Sequence, residues 1–131
     1  MTLALAHVSV RSRNLAASLR FYTEVLGLAT GPRPPFGFPG AWLYGREEDS
    51  SQGVIHLIGP GSEEYLGDRS SGSGALDHVA FTATGWPALR GRLEALNIKF
   101  NVRTVPQLGL RQVFLSDPDG IVIELNFPAG E

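Results

Sequence analysis

The chain has 131 residues, a formal net charge of −2 and no cysteine, which excludes disulfides and thiolate metal sites. It has no basic run and no apolar stretch long enough to span a bilayer, so we predict neither a nucleic-acid surface nor a membrane segment. The N-terminus lacks the pattern of a secretory signal, and we therefore expect a soluble, cytoplasmic protein.

The first half of the chain predicts three strands and one helix. Strands are predicted where residues alternate in polarity or are β-branched: 4–10, 41–46 and 53–58. Apolar residues at helical spacing predict a helix over 14–26, with Ser12 or Asn14 as its N-cap and Gly27 in the left-handed conformation after it. Proline and glycine exclude helix and central strand from 31–40.

The pattern restarts after a Gly- and Ser-rich loop over 59–75. Four further strands are predicted: 76–82, 98–105, 110–116 and 121–126. A helix capped by Thr84, with Pro87 in its first turn, is predicted between the first two of these strands, and Asn97 is expected to end it. Its apolar stripe consists of Leu89, Leu93 and Leu96.

The two halves repeat each other in sequence. His7-Val8 precedes His78-Val79 by 71 residues, and Val54-Ile55-His56-Leu57 precedes Val122-Ile123-Glu124-Leu125 by 68 residues. Matches in the same order within the same kinds of element favour an internal duplication. We therefore predict an α+β fold of two βαβββ modules, about 4–58 and 76–126, in a single domain over 1–131 with 59–75 as the linker.

The duplication also organises the polar residues of the strands. Three histidines and one carboxylate lie within predicted strands: His7, His56, His78 and Glu124. The repeat makes His7 equivalent to His78. It likewise makes His56 equivalent to Glu124. Because strand side chains alternate, all four are expected on the sheet face opposite the helices, together with Ser9, Arg11, Thr82 and Asn126.

This donor set predicts a metal site. An ionised glutamate in an apolar strand is costly unless it is paired or bound to a cation. Imidazole and carboxylate donors together suit a divalent ion of Fe, Mn, Co, Ni or Zn. Arg11 is a candidate for an anionic substrate group or a strand-end cation. Phe36, Phe38 and Trp42 are candidates for the wall of an apolar pocket or for packing of their own loop.

Four segments of the chain carry a family resemblance: His7-Val8-Ser9-Val10, residues 18–28 (SLRFYTEVLGL), Leu76-Asp77-His78-Val79-Ala80-Phe81, and residues 117–125 (DPDGIVIEL). The chain resembles the vicinal oxygen chelate superfamily. That superfamily includes glyoxalase I, methylmalonyl-CoA epimerase, fosfomycin and bleomycin resistance proteins, and type I extradiol dioxygenases. The resemblance implies a curled, funnel-like mixed sheet with the helices outside and the metal inside. It also implies one ligand from the first and the last strand of each module: His7, His56, His78 and Glu124.

Members of this superfamily differ at the position of His56. Glyoxalase I has Glu or Gln there, and it also has an asparagine where this chain has Pro60, whereas Arg11 matches a glutathione-binding arginine. In extradiol dioxygenases the residues matching His7, His78 and Glu124 hold the metal, and a further histidine near the position of His56 is the acid–base catalyst. Fosfomycin resistance proteins use the same three ligand positions.

The leading expectation is a metal-dependent glyoxalase-like lyase or isomerase. It would act on a small substrate with vicinal oxygens through a metal-stabilised enediolate, with Glu124 or His56 as the base. Arg11, Phe36 and Trp42 would contact the substrate. The alternatives are an Fe(II) extradiol-type ring-cleaving dioxygenase and a non-catalytic drug-binding resistance protein. A homodimer is expected, with each site formed within one chain or between two.

Overall fold

The computed structural model describes residues 1–45, 53–61, 76–128 and 130, and the chain divides into two compact units, Met1–Ser71 and Gly72–Glu131. The first unit contains, in chain order, β1 (Val8–Arg11), α1 (Leu15–Arg20), a π-helical turn (Phe21–Val25), β2 (Ala29–Gly31), β3 (Gly40–Tyr44) and β4 (Ile55–Ile58). The second contains β5 (Val79–Thr82), α2 (Trp86–Ala95), β6 (Asn101–Val105), a 3₁₀ turn (Pro106–Leu108), β7 (Leu110–Ser116) and β8 (Val122–Pro128). Most of the predicted linker over 59–75 lies outside the described residues.

Each unit has one four-stranded mixed sheet, and the two sheets share a topology. Their strand orders are β1-β4-β3-β2 and β5-β8-β7-β6. In each sheet the first strand pairs in parallel with the last, and the other neighbours are antiparallel. The predicted α+β fold of two βαβββ modules is confirmed. None of the helices in the described part of the chain is long and apolar enough to cross a membrane.

The strands bury one face and leave the polar residues on the other. Ile55 and Leu57 of β4 are each 1% exposed, and α1 contacts this strand. On β8, Ile123 and Leu125 are buried in the same alternation. Glu124, between them, lies on the opposite face. This alternation is the one predicted from the sequence.

The helix ends confirm some predictions and correct others. The Asn14 side chain accepts a hydrogen bond from the Ala17 backbone N–H at 3.0 Å, as expected of an N-cap. Asn97 adopts a φ of 56° after α2. The prediction of Thr84 as the N-cap of α2 is wrong. The N-cap is Gly85, which has a left-handed φ of 85°. Leu96 is also misassigned to the apolar stripe, since it follows the last helical residue and is 46% exposed.

Five strands begin later than predicted, β1 and β5 among them, and one strand, β2, was missed. β1 starts at Val8 because its ladder with β4 begins at the Val8–Ile55 pair. His7 therefore lies directly before β1, and His78 lies directly before β5, rather than inside these strands. The missed strand β2 ends at Gly31, where an added Cβ would lie 2.5 Å from the Tyr44 ring. Glycine allows this close approach. The segment 31–40 contributes Gly31 to the edge strand β2 and Gly40 to the inner strand β3, so the exclusion of central strand was wrong at Gly40.

Candidate metal centre

In the second unit, His78, directly before β5, faces Glu124 on the neighbouring strand β8. His78 Nε2 lies 3.8 Å from Glu124 Oε1. The other ring nitrogen, Nδ1, donates a hydrogen bond to Asp77 Oδ2 at 2.8 Å. With its proton on Nδ1, the neutral ring presents the Nε2 lone pair toward Glu124. A carboxylate behind a histidine in this way is a common arrangement at metal sites, because it fixes the tautomer and the orientation of the ring.

The Asp77 hydrogen bond also changes the acidity of His78. It is the largest cause that raises the pKa of the imidazole above its ordinary value of 6.5. Partial burial lowers the pKa, and attraction by the Glu124 and Asp77 carboxylates raises it further. The protonated ring is therefore stabilised by Asp77 at its Nδ1 and by Glu124 on the side of its Nε2.

Glu124 is held by a neighbour on its own strand. Its Oε2 accepts a hydrogen bond from Asn126 Nδ2 at 2.8 Å. Asn126 Oδ1 in turn accepts from Gln112 Nε2 at 3.0 Å. The Glu124 side chain is only 12% exposed, so its carboxylate is fixed by these contacts rather than by solvent. Sequence reasoning placed Asn126 on this face but missed Gln112.

In the first unit, His7 and His56 come together as a ring stack. Their centroids are 3.7 Å apart and their planes differ by 15°. The other face of His56 stacks on Trp42, at 4.0 Å and 7°. The register explains the contact, since Trp42 lies opposite His56 and Ser9 lies on its other side. His56 is 7% exposed in this sandwich.

His7 carries the one unpaired buried polar side-chain atom found among the described residues. Its Nδ1 is inaccessible to solvent and has no hydrogen-bond partner. A buried nitrogen without a partner is unfavourable. A cation or a bound ligand would remove that cost.

Two aromatic side chains of the loop before β3, Phe36 and Phe38, extend the aromatic contacts of Trp42. Phe36 lies 6.2 Å from Trp42 by ring centroids and stacks on Phe38 at 5.4 Å. The Arg33 guanidinium lies 5.0 Å from the Phe36 ring centre, and Arg33 Nη2 donates to the Phe38 carbonyl at 2.9 Å. Phe36 remains 45% exposed. The loop therefore presents an apolar surface beside the histidine stack.

Each unit thus brings together two of the four predicted ligands. Among the described residues, no group of three or more His, Cys, Asp or Glu side chains is gathered to hold an ion. The convergence of all four donors stays a prediction. Arg11, another predicted contact, is half-buried at the end of β1.

A family model for the "Glyoxalase/Bleomycin resistance protein/Dioxygenase superfamily" matches residues 4–125. A relative named glyoxylase I 4 from Arabidopsis thaliana is 32% identical over 126 residues, covering 93% of this chain and 69% of the relative. A lactoylglutathione lyase from Schizosaccharomyces pombe is 26% identical over 142 residues, covering 95% of this chain and 47% of the relative. This chain thus spans about half the length of the yeast protein.

Solved structures share the fold. A glyoxalase family protein from Bacillus anthracis has a TM-score of 0.73 at 19% identity, covering 98% of this chain and 97% of that chain. A fosfomycin resistance protein from Listeria monocytogenes, in complex with Mn(II) and a dihydroxypropylphosphonic acid, has a TM-score of 0.71 at 15% identity. The coverage there is 99% of this chain and 95% of that chain.

Proposed function

The chain belongs to the glyoxalase/bleomycin resistance protein/dioxygenase superfamily, and from that premise we propose that it is a metal-dependent glyoxalase-like lyase or isomerase. Its substrate would be a small molecule with oxygens on neighbouring carbons. The proposed metal ligands are His7, His78 and Glu124, with His56 as a fourth ligand or an acid–base residue. The relatives named glyoxylase I and lactoylglutathione lyase support the lyase class.

The observation that carries this proposal is the pairing of His78 with Glu124. Two ligands on one ion with bonds of ~2.1 Å lie about 3.0–3.4 Å apart, depending on geometry. The observed 3.8 Å between Nε2 and Oε1 needs only a small closure to reach that range. The far side of each group is already held, by Asp77 and by Asn126. These two donors therefore fit a divalent ion.

The histidine stack supports His7 as a ligand more than His56. A ring nitrogen binds a metal in the plane of its ring, and the planes of these two rings are nearly parallel. One ion can therefore lie in the plane of only one of them. His7 has the unpartnered nitrogen, whereas His56 is packed on both faces. This favours three protein ligands, with His56 as an adjacent acid–base or packing residue.

A divalent ion held by this set would act as a Lewis acid on the neighbouring oxygens of the substrate. The side chains of the protein would supply the base and the contacts with the substrate. Glu124 or His56 is the candidate base for a proton on the carbon next to a carbonyl. Phe36 and Trp42 would cover the apolar part of the substrate, and Arg11 would hold an anionic group.

Metal uptake and proton exchange test this function together. Chelator-treated protein is dialysed against Mn²⁺, Fe²⁺, Co²⁺, Ni²⁺ or Zn²⁺, and bound metal is counted by mass spectrometry. The loaded protein is then incubated in D₂O with α-hydroxyketones and with thiohemiacetals of 2-oxoaldehydes. We expect metal binding and deuterium incorporation next to the carbonyl, both lost in His78→Ala. Ring cleavage of catechol by the Fe(II) form would assign a dioxygenase instead, and absence of uptake would favour a binding protein.

A further inference from the structure

A line of side-chain hydrogen bonds crosses the second sheet and ends on Glu124. Arg103 donates from both Nε and Nη2 to Gln112 Oε1, at 2.9 and 2.6 Å. Gln112 Nε2 donates to Asn126 Oδ1 at 3.0 Å. Asn126 Nδ2 donates to Glu124 Oε2 at 2.8 Å. We call these four side chains the Arg103–Glu124 relay.

Strand register builds the relay. Arg103 on β6 lies opposite Gln112 on β7, and Gln112 lies opposite Asn126 on β8. Asn126 is two residues from Glu124, so the two side chains share one face. Gln112 is 9% exposed and sits in the middle of the line. The Arg103 guanidinium also lies 5.5 Å from the Phe114 ring centre, which restricts the outer end of the relay.

The relay has a fixed direction. An arginine side chain has donors only, so it selects the oxygen of the Gln112 amide as its acceptor. The Gln112 NH₂ group must then point at Asn126, which must accept through its own oxygen. That leaves the Asn126 NH₂ group for Glu124, whose carboxylate accepts. Turning either amide over would put donor against donor or acceptor against acceptor.

We propose that Gln112, Arg103 and Asn126 are positioning residues that hold the Glu124 carboxylate with Oε2 engaged and Oε1 directed toward His78. This inference rests on the proposed function, because its purpose is to present one carboxylate oxygen to the metal. A carboxylate fixed before the ion arrives loses less freedom on binding, and outer partners of ligands commonly contribute 10–100-fold to metal affinity.

Gln112→Glu reverses the relay without changing the size of the side chain. The new carboxylate still accepts from Arg103 but cannot donate to Asn126. Asn126 must then turn its NH₂ group toward the new carboxylate and its oxygen toward Glu124. Thr104→Glu is the matched control. It adds the same charge one residue along β6 from Arg103, on the opposite face of the strand.

Arg103→Met removes the hydrogen-bond donors to Gln112 at the outer end of the relay, and Arg103→Lys restores a donor group there. Arg103 is exposed, so neither variant disturbs the core. In metal-free protein, ¹⁵N NMR of the side-chain amides reports the relay directly. We expect the Gln112 and Asn126 amide resonances to shift in Arg103→Met and to return toward wild type in Arg103→Lys. Resonances that do not move in Arg103→Met overturn the relay.

Calorimetric titration with Mn²⁺ measures the effect of the relay on metal affinity. We expect Gln112→Glu and Arg103→Met to weaken Mn²⁺ binding by roughly 10–100-fold, with Arg103→Lys close to wild type and Thr104→Glu unchanged. Wild-type binding with unchanged affinity in Gln112→Glu and Arg103→Met overturns the positioning role and leaves the proposed function standing. Wild-type protein that binds no Mn²⁺, nor any of the other four ions, overturns both.

Discussion

Trp42 and His56 lie opposite each other on β3 and β4, and their rings stack with centroids 4.0 Å apart and planes 7° apart. His7 covers the other face of the same imidazole. His56 is thus clamped between two flat rings, which fixes the plane in which its nitrogens point. Under the proposed function, this stack favours His7 over His56 as the metal ligand.

We predict that His7→Phe and His56→Phe differ in metal binding. Phenylalanine keeps a flat ring in the stack but has no nitrogen donor. Loss of a ligand in His7→Phe is expected to weaken Mn²⁺ binding by more than about 100-fold, beyond the usual effect of an outer partner. His56→Phe is expected to retain affinity within about tenfold. If His56 is the acid–base residue, turnover by the His56→Phe variant falls by a factor of roughly 10²–10⁴.

Calorimetric titration of the two metal-free variants with Mn²⁺ shows which of the two histidines is a metal ligand. Equal, large losses of affinity in both would make His56 a fourth ligand. Unchanged affinity and unchanged turnover in His56→Phe would leave it only a packing role.

The second prediction concerns the core and uses two leucines of the predicted helix stripe. Leu93 is fully buried in α2, whereas Leu96 is 46% exposed just after it. Leu93→Ala is expected to lower the free energy of unfolding by about 2–5 kcal/mol, through lost burial and a residual cavity. Leu96→Ala should change it by less than about 0.5 kcal/mol. Urea denaturation of metal-free protein measures both, and similar losses would contradict the difference in burial between the two side chains.

The sequence predicts the module order and the faces of the strands well, because both depend on local patterns. The alternation around Glu124 was readable since Ile123 and Leu125 are apolar and the period of a strand is two. The repeat added that His7 and His78 hold equivalent places. Both residues lie just outside their strands, because pairing with a neighbour, and not local propensity, decides where a ladder begins.

Contacts across strands were not readable in the same way. The relay requires Arg103 opposite Gln112 and Gln112 opposite Asn126, and a shift of one residue would turn a whole strand over. The apolar alternation excludes a shift of one residue but not a shift of two, which keeps the face and changes the partners across the strands. The stack of Trp42 on His56 was missed for the same reason. Asp77, which holds His78, had a simpler signal, since it is the adjacent carboxylate in the sequence.

The third prediction tests the aromatic surface. Phe36 is 45% exposed, and its ring lies against Phe38, Trp42 and the Arg33 guanidinium. Phe36→Ala should raise KM about fivefold at unchanged kcat, because it removes apolar contact made equally in the ground state and the transition state. Metal affinity should not change. Leu108→Ala, at another exposed apolar position, is the control. A fall in kcat with KM unchanged would place Phe36 in the chemical step instead.

The last prediction follows from the raised pKa of His78 and concerns metal-free protein. The hydrogen bond to Asp77 is the largest cause of the shift, opposed by partial burial and assisted by Glu124. Because the folded protein binds this proton more tightly than the unfolded chain, protonation stabilises the fold. That contribution is fully present below the unfolded pKa of about 6.5 and is lost as pH rises through the higher folded value.

Asp77→Asn should therefore lower the thermal stability of the metal-free protein only at low pH. NMR titration of His78 should give a pKa above 6.5 in wild type and a lower value in the variant. Thermal melts should show wild type more stable than Asp77→Asn at about pH 5.5, with the difference vanishing by about pH 9. Glu94→Gln, which removes a carboxylate paired with Arg90 on α2, is the control for lost charge. A difference in Tm of equal size at both pH values would mean that Asp77 stabilises the fold by something other than the His78 proton.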